Sequence, residues 1–119
     1  MIVYFRQLFE HAYWADKAFV QALQEAGRKP PARALRRLAH IAVAEDVWYN
    51  RLIGSRADTV DLWPEWPVER CAEQVEENRE HYRRYLDALR DRDLFVRIAY
   101  RNTKGVAFET PVQEILTHV

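Results

Sequence analysis

Residues 38–54 constrain the fold most, because they predict a helix that is apolar on two sides. One stripe follows the spacing of three and four residues that marks a helix face. Its members are Leu38, Ile41, Ala42, Glu45, Trp48, Tyr49 and Leu52. A second stripe joins His40 to Val43, Ala44 and Val47. A helix with two apolar faces needs neighbours all round, so this one is expected at the centre of the fold. Gly54 then supplies a left-handed C-cap.

Three long helices are predicted from the apolar periodicity, over residues 3–26, 31–53 and 68–90. Residues 55–67 read as a long linker, because Gly, Ser, Asp and Pro interrupt the pattern there. Trp63 and Trp66 lie within it, either to cover the end of the core or to line the mouth of a pocket. A linker of this length can run along the bundle, which allows the second and third helices to lie parallel.

The C-terminal part predicts a short hairpin and the start of a fourth helix. Residues 95–100 and 106–109 are rich in β-formers and flank a turn that contains Gly105. Thr110, Pro111 and Gln113 then match a capping box, with Thr110 as cap and Pro111 in the first helical position. The apolar spacing that follows predicts a helix, which is truncated at Val119.

Length and composition limit the classes of protein to which the chain can belong. A chain of 119 residues with 49% hydrophobic residues forms one domain, residues 1–119, with a substantial core. Its 18 basic and 18 acidic residues balance, so a nucleic-acid partner is not expected. No apolar run predicts a membrane span, and the N-terminus does not resemble a signal peptide. Cys71 is the lone cysteine, so no internal disulfide is possible and a cytoplasmic location is expected.

Several motifs together resemble the DinB/YfiT-like four-helix-bundle superfamily. Leu-Ala-His-Ile from residue 38, followed by Ala-Glu, Trp, Arg-Leu and Gly, resembles the family's second helix. Tyr-Trp-Ala-Asp at residues 13–16 resembles its first-helix signature, with Asp16 in place of the usual Asn. Tyr100, Gly105 and Phe108 resemble the segment before its last helix. The resemblance implies an all-α four-helix bundle with a long loop between helices 2 and 3 and a truncated helix 4.

The same resemblance implies a divalent metal site. In this family the histidine at the position of His40 is the first ligand of Zn, Ni or Fe. The last helix carries a His-x-x-Asn-His-x-x-x-His motif, whose two later histidines complete the site. Residues 114–119 match only the opening of that motif, with His118 as its first histidine. His40 and His118 are therefore the candidate metal ligands, and this truncated chain alone could lack the ion. The sequence identifies no catalytic residue.

Two functions from different classes follow from these observations. The first is a metal-dependent enzyme, similar to thiol transferases or hydrolases, acting on a small molecule such as a low-molecular-weight thiol. The second is a metal-free helical module for dimerisation or interaction. A short fourth helix would leave apolar side chains uncovered, so we expect either a homodimer or further residues that complete the bundle. Those side chains are of the type of Phe5, Leu8, Leu35 and Tyr82.

Alternative interpretations remain for single residues. His40 could instead be a core histidine with a satisfied ring. Glu45 lies on the main apolar stripe, so it either grips an Arg or Trp donor or lies near the metal pocket. Trp14 is read as a core aromatic residue, Asp16 as a polar surface residue, and His81 as exposed.

Overall fold

The computed structural model of the chain describes residues 1–27, 29–55 and 60–119. These residues form four α-helices, two strands and one 3₁₀ helix. The elements are α1 (Ile2–Glu25), α2 (Ala32–Leu52), α3 (Val68–Ala88), a 3₁₀ helix (Asp91–Phe95), β1 (Arg97–Arg101), β2 (Ala107–Pro111) and α4 (Val112–His118). The three long helices are confirmed with bounds close to those predicted. Part of the predicted linker, residues 56–59, lies outside the described residues.

The helices pack around two large apolar clusters, one toward each end of the bundle, and Val43 and Val47 form a small third cluster. The hairpin-end core contains Ile2, Phe5, Leu52, Tyr82, Leu86, Leu94, Val112, Ile115 and Leu116. The linker-end core contains Val20, Leu23, Leu38, Ala39, Ala42, Val68, Cys71 and Val75. The start of α1 thus meets the ends of α2 and α3, while its end meets their starts. It follows that α1 is antiparallel to both and that α2 and α3 are parallel, as the long linker allows.

The end of α2 has the cap that the sequence predicts. Gly54 has a φ of +80°, a conformation that a side chain with a Cβ atom disfavours. The Ser55 amide donates to the Asn50 carbonyl at 2.8 Å, and the Gly54 amide donates to the Arg51 carbonyl at 3.3 Å. This pair of hydrogen bonds is a Schellman motif, which satisfies the last carbonyls of the helix.

The predicted capping box at Thr110 is wrong. Strands β1 and β2 are antiparallel, with Ile98 opposite Thr110 and Tyr100 opposite Phe108. Thr110 and Pro111 belong to β2, and no side chain caps α4. The Thr110 hydroxyl lies 3.1 Å from the Tyr100 hydroxyl instead. Strand pairing therefore occupies the residue that the local pattern assigned to the cap.

The expected uncovered apolar face is also corrected. Phe5 and Tyr82 are each only 3% exposed, and Leu8 and Leu35 are half-buried. Although α4 is short, its Ile115 and Leu116 complete the hairpin-end core together with Leu94 of the 3₁₀ helix. None of the described helices combines the length and the apolar character needed to cross a lipid bilayer.

Candidate functional site

His40 lies near the middle of α2, half-buried beside the linker. Its Nδ1 is 2.6 Å from the backbone carbonyl oxygen of Leu62. A carbonyl can only accept a hydrogen bond, so Nδ1 carries the proton. In the neutral ring, Nε2 then holds the free lone pair. The contact therefore fixes both the tautomer of His40 and the direction of its free nitrogen.

Trp63 fixes the plane of the same ring. The His40 and Trp63 rings stack with centroids 3.9 Å apart and planes 5° from parallel. The Trp63 amide donates to the Asp61 carboxylate at 2.9 Å, which holds this part of the linker in a tight turn. Trp63 remains 47% exposed. Trp63 also lines an open groove beside α2, in keeping with the pocket role expected for a linker tryptophan.

The other linker tryptophan covers the core. Trp66 is half-buried and packs against the linker-end core and against Val43 and Val47, together with Leu62. The Arg70 guanidinium lies 4.6 Å from its ring centroid. These contacts anchor the linker to the helices at Leu62 and at Trp66. The carbonyl that orients His40 is therefore held by the packed linker.

His118 occupies a different environment at the end of α4. Its ring meets the Trp48 ring edge to face, with centroids 5.0 Å apart. Trp48 also lies under the Arg51 guanidinium at 4.5 Å. Trp48 is eight residues from His40, or about 12 Å along the axis of α2 at 1.5 Å per residue. The two predicted ligands therefore contact different partners, and the role of each as a ligand stays a prediction.

A polar layer lies between the two cores. It consists of the half-buried Asp16 and Glu45 and the buried Gln74, Asn78 and Tyr82, of which Tyr82 also belongs to the hairpin-end core. The Asn78 amide donates to the Glu45 carboxyl at 3.2 Å and to the Ala42 carbonyl at 2.9 Å. The Gln74 amide donates to the Asn78 side-chain oxygen at 2.9 Å, and the Tyr82 hydroxyl donates to the Glu45 backbone carbonyl at 2.6 Å. Glu45 is thus bonded to α3 rather than to the predicted Arg or Trp donor.

Asp16 and Glu45 form a carboxyl pair within this layer. Burial, followed by the hydrogen bond and the charge of Asp16, raises the pKa of Glu45 to about 9. Burial also raises the pKa of Asp16, opposed by its hydrogen bond with Glu45. Two carboxyl groups in hydrogen-bond contact do not both ionise readily. At neutral pH Glu45 is therefore protonated and Asp16 accepts its hydrogen bond.

A cavity of about 30 Å³ adjoins the carboxyl pair, with Asn78, Tyr82 and Val119 among its lining residues. This volume is enough for a water molecule. The pair beside it can hold a proton and pass it to a polar molecule in the cavity.

Within residues 1–27, 29–55 and 60–119, no group of three or more His, Cys, Asp or Glu side chains converges in a way that could hold a metal ion.

The predicted burial of two residues of α1 was wrong. Trp14 is 65% exposed and stacks on His11, whereas Asp16 is half-buried and faces Glu45. The signal that could have revealed the layer is the row Gln74, Asn78 and Tyr82, which repeats every four residues along α3. His81, expected to be exposed, is half-buried and stacks on Tyr49 at 4.4 Å.

Comparison with known proteins finds no match among family models, curated proteins or solved structures. The candidate site is therefore defined by the contacts of its own residues, with His40, Leu62 and Trp63 on the linker side of α2 and the carboxyl pair on the other.

Proposed function

We propose that the chain belongs to a DinB-like protein that binds a divalent metal, with Nε2 of His40 as one ligand. The observation that carries the proposal is the hydrogen bond from His40 Nδ1 to the Leu62 carbonyl. Histidines that bind metals usually donate their other N–H group to a carbonyl or a carboxylate. Such a bond selects the tautomer and sets the direction of the free nitrogen. The stacked Trp63 ring keeps the imidazole in that orientation.

The described residues fit such a site only in part, since they supply one oriented nitrogen and no complete set of donors. The direction of α4 suggests how the rest could be supplied. α4 packs beside Leu52 and ends with Val119 beside Glu45, so it is antiparallel to α2. A helix continued from His118 would reach the level of His40 about eight residues later, since both helices rise 1.5 Å per residue. The last histidine of the resembled motif stands eight positions after its first.

The chemistry of the proposed site follows from the ion. A bound divalent metal lowers the pKa of a thiol or water ligand and makes it nucleophilic. A metal-dependent thiol transferase or a hydrolase acting on a small molecule is the class of enzyme that such a site serves. In this chain, His40 would bind the ion, and the Leu62 carbonyl and the Trp63 ring would orient the His40 imidazole.

The test is the metal content of the full gene product, measured by plasma mass spectrometry after expression with Zn or Ni. We expect about one ion per chain in the wild type and a large loss in His40→Ala. His81→Ala is the matched control, because His81 also stacks on an aromatic ring but its Nδ1 has no partner in the described part of the chain. His118→Ala measures whether that residue is a ligand. Equal metal in wild type and His40→Ala would contradict the proposal.

A metal-free interaction module is the second candidate, supported by exposed apolar side chains around the hairpin. Phe95 is 65% exposed, and Val96, Val106 and Phe108 are also exposed. Apolar side chains grouped on a surface are typical of protein interfaces. On this alternative the chain forms a homodimer through the hairpin, and Phe95→Ser with Phe108→Ser would return it to monomer in sedimentation equilibrium. A monomeric wild type would contradict the alternative.

A further inference from the structure

Three arginines and His40 share one face of α2. Arg33, Arg36, Arg37 and His40 are spaced at i, i+3, i+4 and i+7, which places them along one stripe of the helix. All three arginines are exposed. Together with Ala32 and Trp63 they line a groove of about 470 Å³. That volume lies in the range of sites for small molecules.

The stability of the helix does not explain these charges. They lie in the first two turns of α2, where the macrodipole disfavours cations, and no acidic residue occupies the first turn. Like charges three and four residues apart also repel. The arginines of α3 contrast with them, because Arg84 and Arg83 both pair with Glu80 at distances of 2.9 and 3.0 Å.

The carboxylates described near the groove lie outside its lining. Glu65 borders an adjoining hollow that shares Ala32 and Arg36 with the groove. Asp61 uses a carboxylate oxygen to accept the Trp63 amide. The side chains that line the groove therefore present three guanidinium groups and an indole ring. Guanidinium groups bind carboxylates and phosphates through paired hydrogen bonds, which makes an oxyanion the fitting ligand.

Trp63 connects this groove to His40. Its ring stacks on His40 at 3.9 Å, and the same side chain lines the groove, where almost half of its surface is accessible. A ligand held by the arginines can therefore extend along the exposed indole, whose ring stacks on His40. An apolar or aromatic part next to the anionic group would gain contact with that ring.

We propose that this groove binds the carboxylate or phosphate group of a small molecule and directs the rest of that molecule toward His40. The anion site stands on the arginines, the groove and Trp63, whereas its use in positioning a substrate rests on the proposed metal function. The three arginines are positioning residues, because they hold the ligand at a distance from the ion that His40 would bind.

The test uses the full chain, stripped of metal and dialysed free of chelator, in titrations with phenyl phosphate, benzoate and neutral benzyl alcohol. The readout is the indole N–H signals in NMR spectra. We expect a saturable shift of the Trp63 signal with at least one of the two anions and none with benzyl alcohol. Which anion binds more tightly distinguishes a phosphate ligand from a carboxylate ligand. The Trp14 signal is an internal control, because Trp14 is exposed but does not line the groove.

Arg36→Gln and Arg37→Gln should each weaken anion binding about tenfold, since each removes one charged donor. Arg84→Gln is the matched control with the same change of charge on an exposed helix face, and it should bind like the wild type. A Trp63 signal that does not respond to either anion, or an equal loss in Arg84→Gln, would overturn the proposal. Because no metal is present, this result is independent of the metal content of His40→Ala, and either proposal can fail alone.

Discussion

Two ionisable residues of the α2 motif, His40 and Glu45, show what different surroundings do to such a group. His40 lies beside the linker, where one carbonyl fixes its tautomer and a ring fixes its plane, so one nitrogen stays available. Glu45 lies between the two cores, bonded to Asn78 and Asp16 and kept neutral by burial. An oriented group with a free atom is suited to binding a ligand. An enclosed and satisfied group is suited to specifying how helices pack.

Among the substitutions, the largest loss of stability is expected from Asn78→Ala, which disrupts the hydrogen bonds around Glu45. The substitution removes one hydrogen bond each from the Ala42 carbonyl, the Glu45 carboxyl and the Gln74 amide, and it opens a small void. We expect a loss of about 3 kcal/mol in the free energy of unfolding, measured by urea denaturation. Asn50→Ala is the control, because within the described part of the chain the Asn50 side chain bonds only to the Asp46 carbonyl of its own helix. A similar small loss in both variants would show that the layer does not specify packing.

The second test is the pH dependence of stability. The pKa of Glu45 is raised from 4.5 to about 9 in the folded chain, so the folded state keeps a proton that the unfolded state releases. The stabilisation is complete below about pH 4.5 and is lost as the pH rises toward 9. Urea denaturation from pH 5 to 9 should therefore show falling stability in the wild type and a weaker fall in Glu45→Gln.

Glu80→Gln is the control for that measurement. Hydrogen bonding to Arg83 and Arg84 lowers the pKa of Glu80, so this carboxylate stays charged in both states over the same pH range. Its substitution should leave the slope of stability against pH unchanged. A wild-type slope equal to that of Glu45→Gln would mean that the carboxyl pair does not hold a proton at neutral pH.

The smallest effect is expected on the His40 side, from Trp63→Ala. Without the stacked ring, the imidazole can turn away from the Leu62 carbonyl. Nitrogen chemical shifts should therefore show the neutral His40 ring protonated at Nδ1 in the wild type and a mixture of tautomers in the variant. Because the ring loses its fixed plane, metal affinity should fall about tenfold while the fold persists. Trp14→Ala is the control, since Trp14 also stacks on a histidine, with centroids 5.7 Å apart. An unchanged tautomer in Trp63→Ala would assign the orientation to the Leu62 carbonyl alone.

The sequence predicted those parts of the fold that depend on one helix at a time. Apolar periodicity located the three long helices, and Gly54 located the end of α2, because these signals are local. The prediction that Trp14 is buried and Asp16 exposed was wrong. Because α1 has aromatic residues on several sides, its sequence alone does not show which side packs against the neighbouring helices. The predicted cap at Thr110 was wrong because this residue pairs with β1 as part of a strand.

The candidate site was predictable to the same limited extent. His40 could be identified from its motif. The atom that orients it could not, because it is a backbone carbonyl of the linker and every residue type carries the same carbonyl group. Glu45 was found as an anomaly on an apolar stripe. Its partners Asn78 and Asp16 were not, because three different helices bring them together.

The parallel arrangement of α2 and α3 bears on how the chain folds. α1 packs mainly against α3 rather than against α2, its neighbour in sequence. Tyr13 on α1, for example, donates to Glu76 on α3 across 63 residues at 2.8 Å. Contacts between distant parts of a chain form slowly, because a long loop must close first. During synthesis, α1 therefore waits for its main partner until α3 has been made, and a fragment that contains only α1 and α2 should remain poorly ordered.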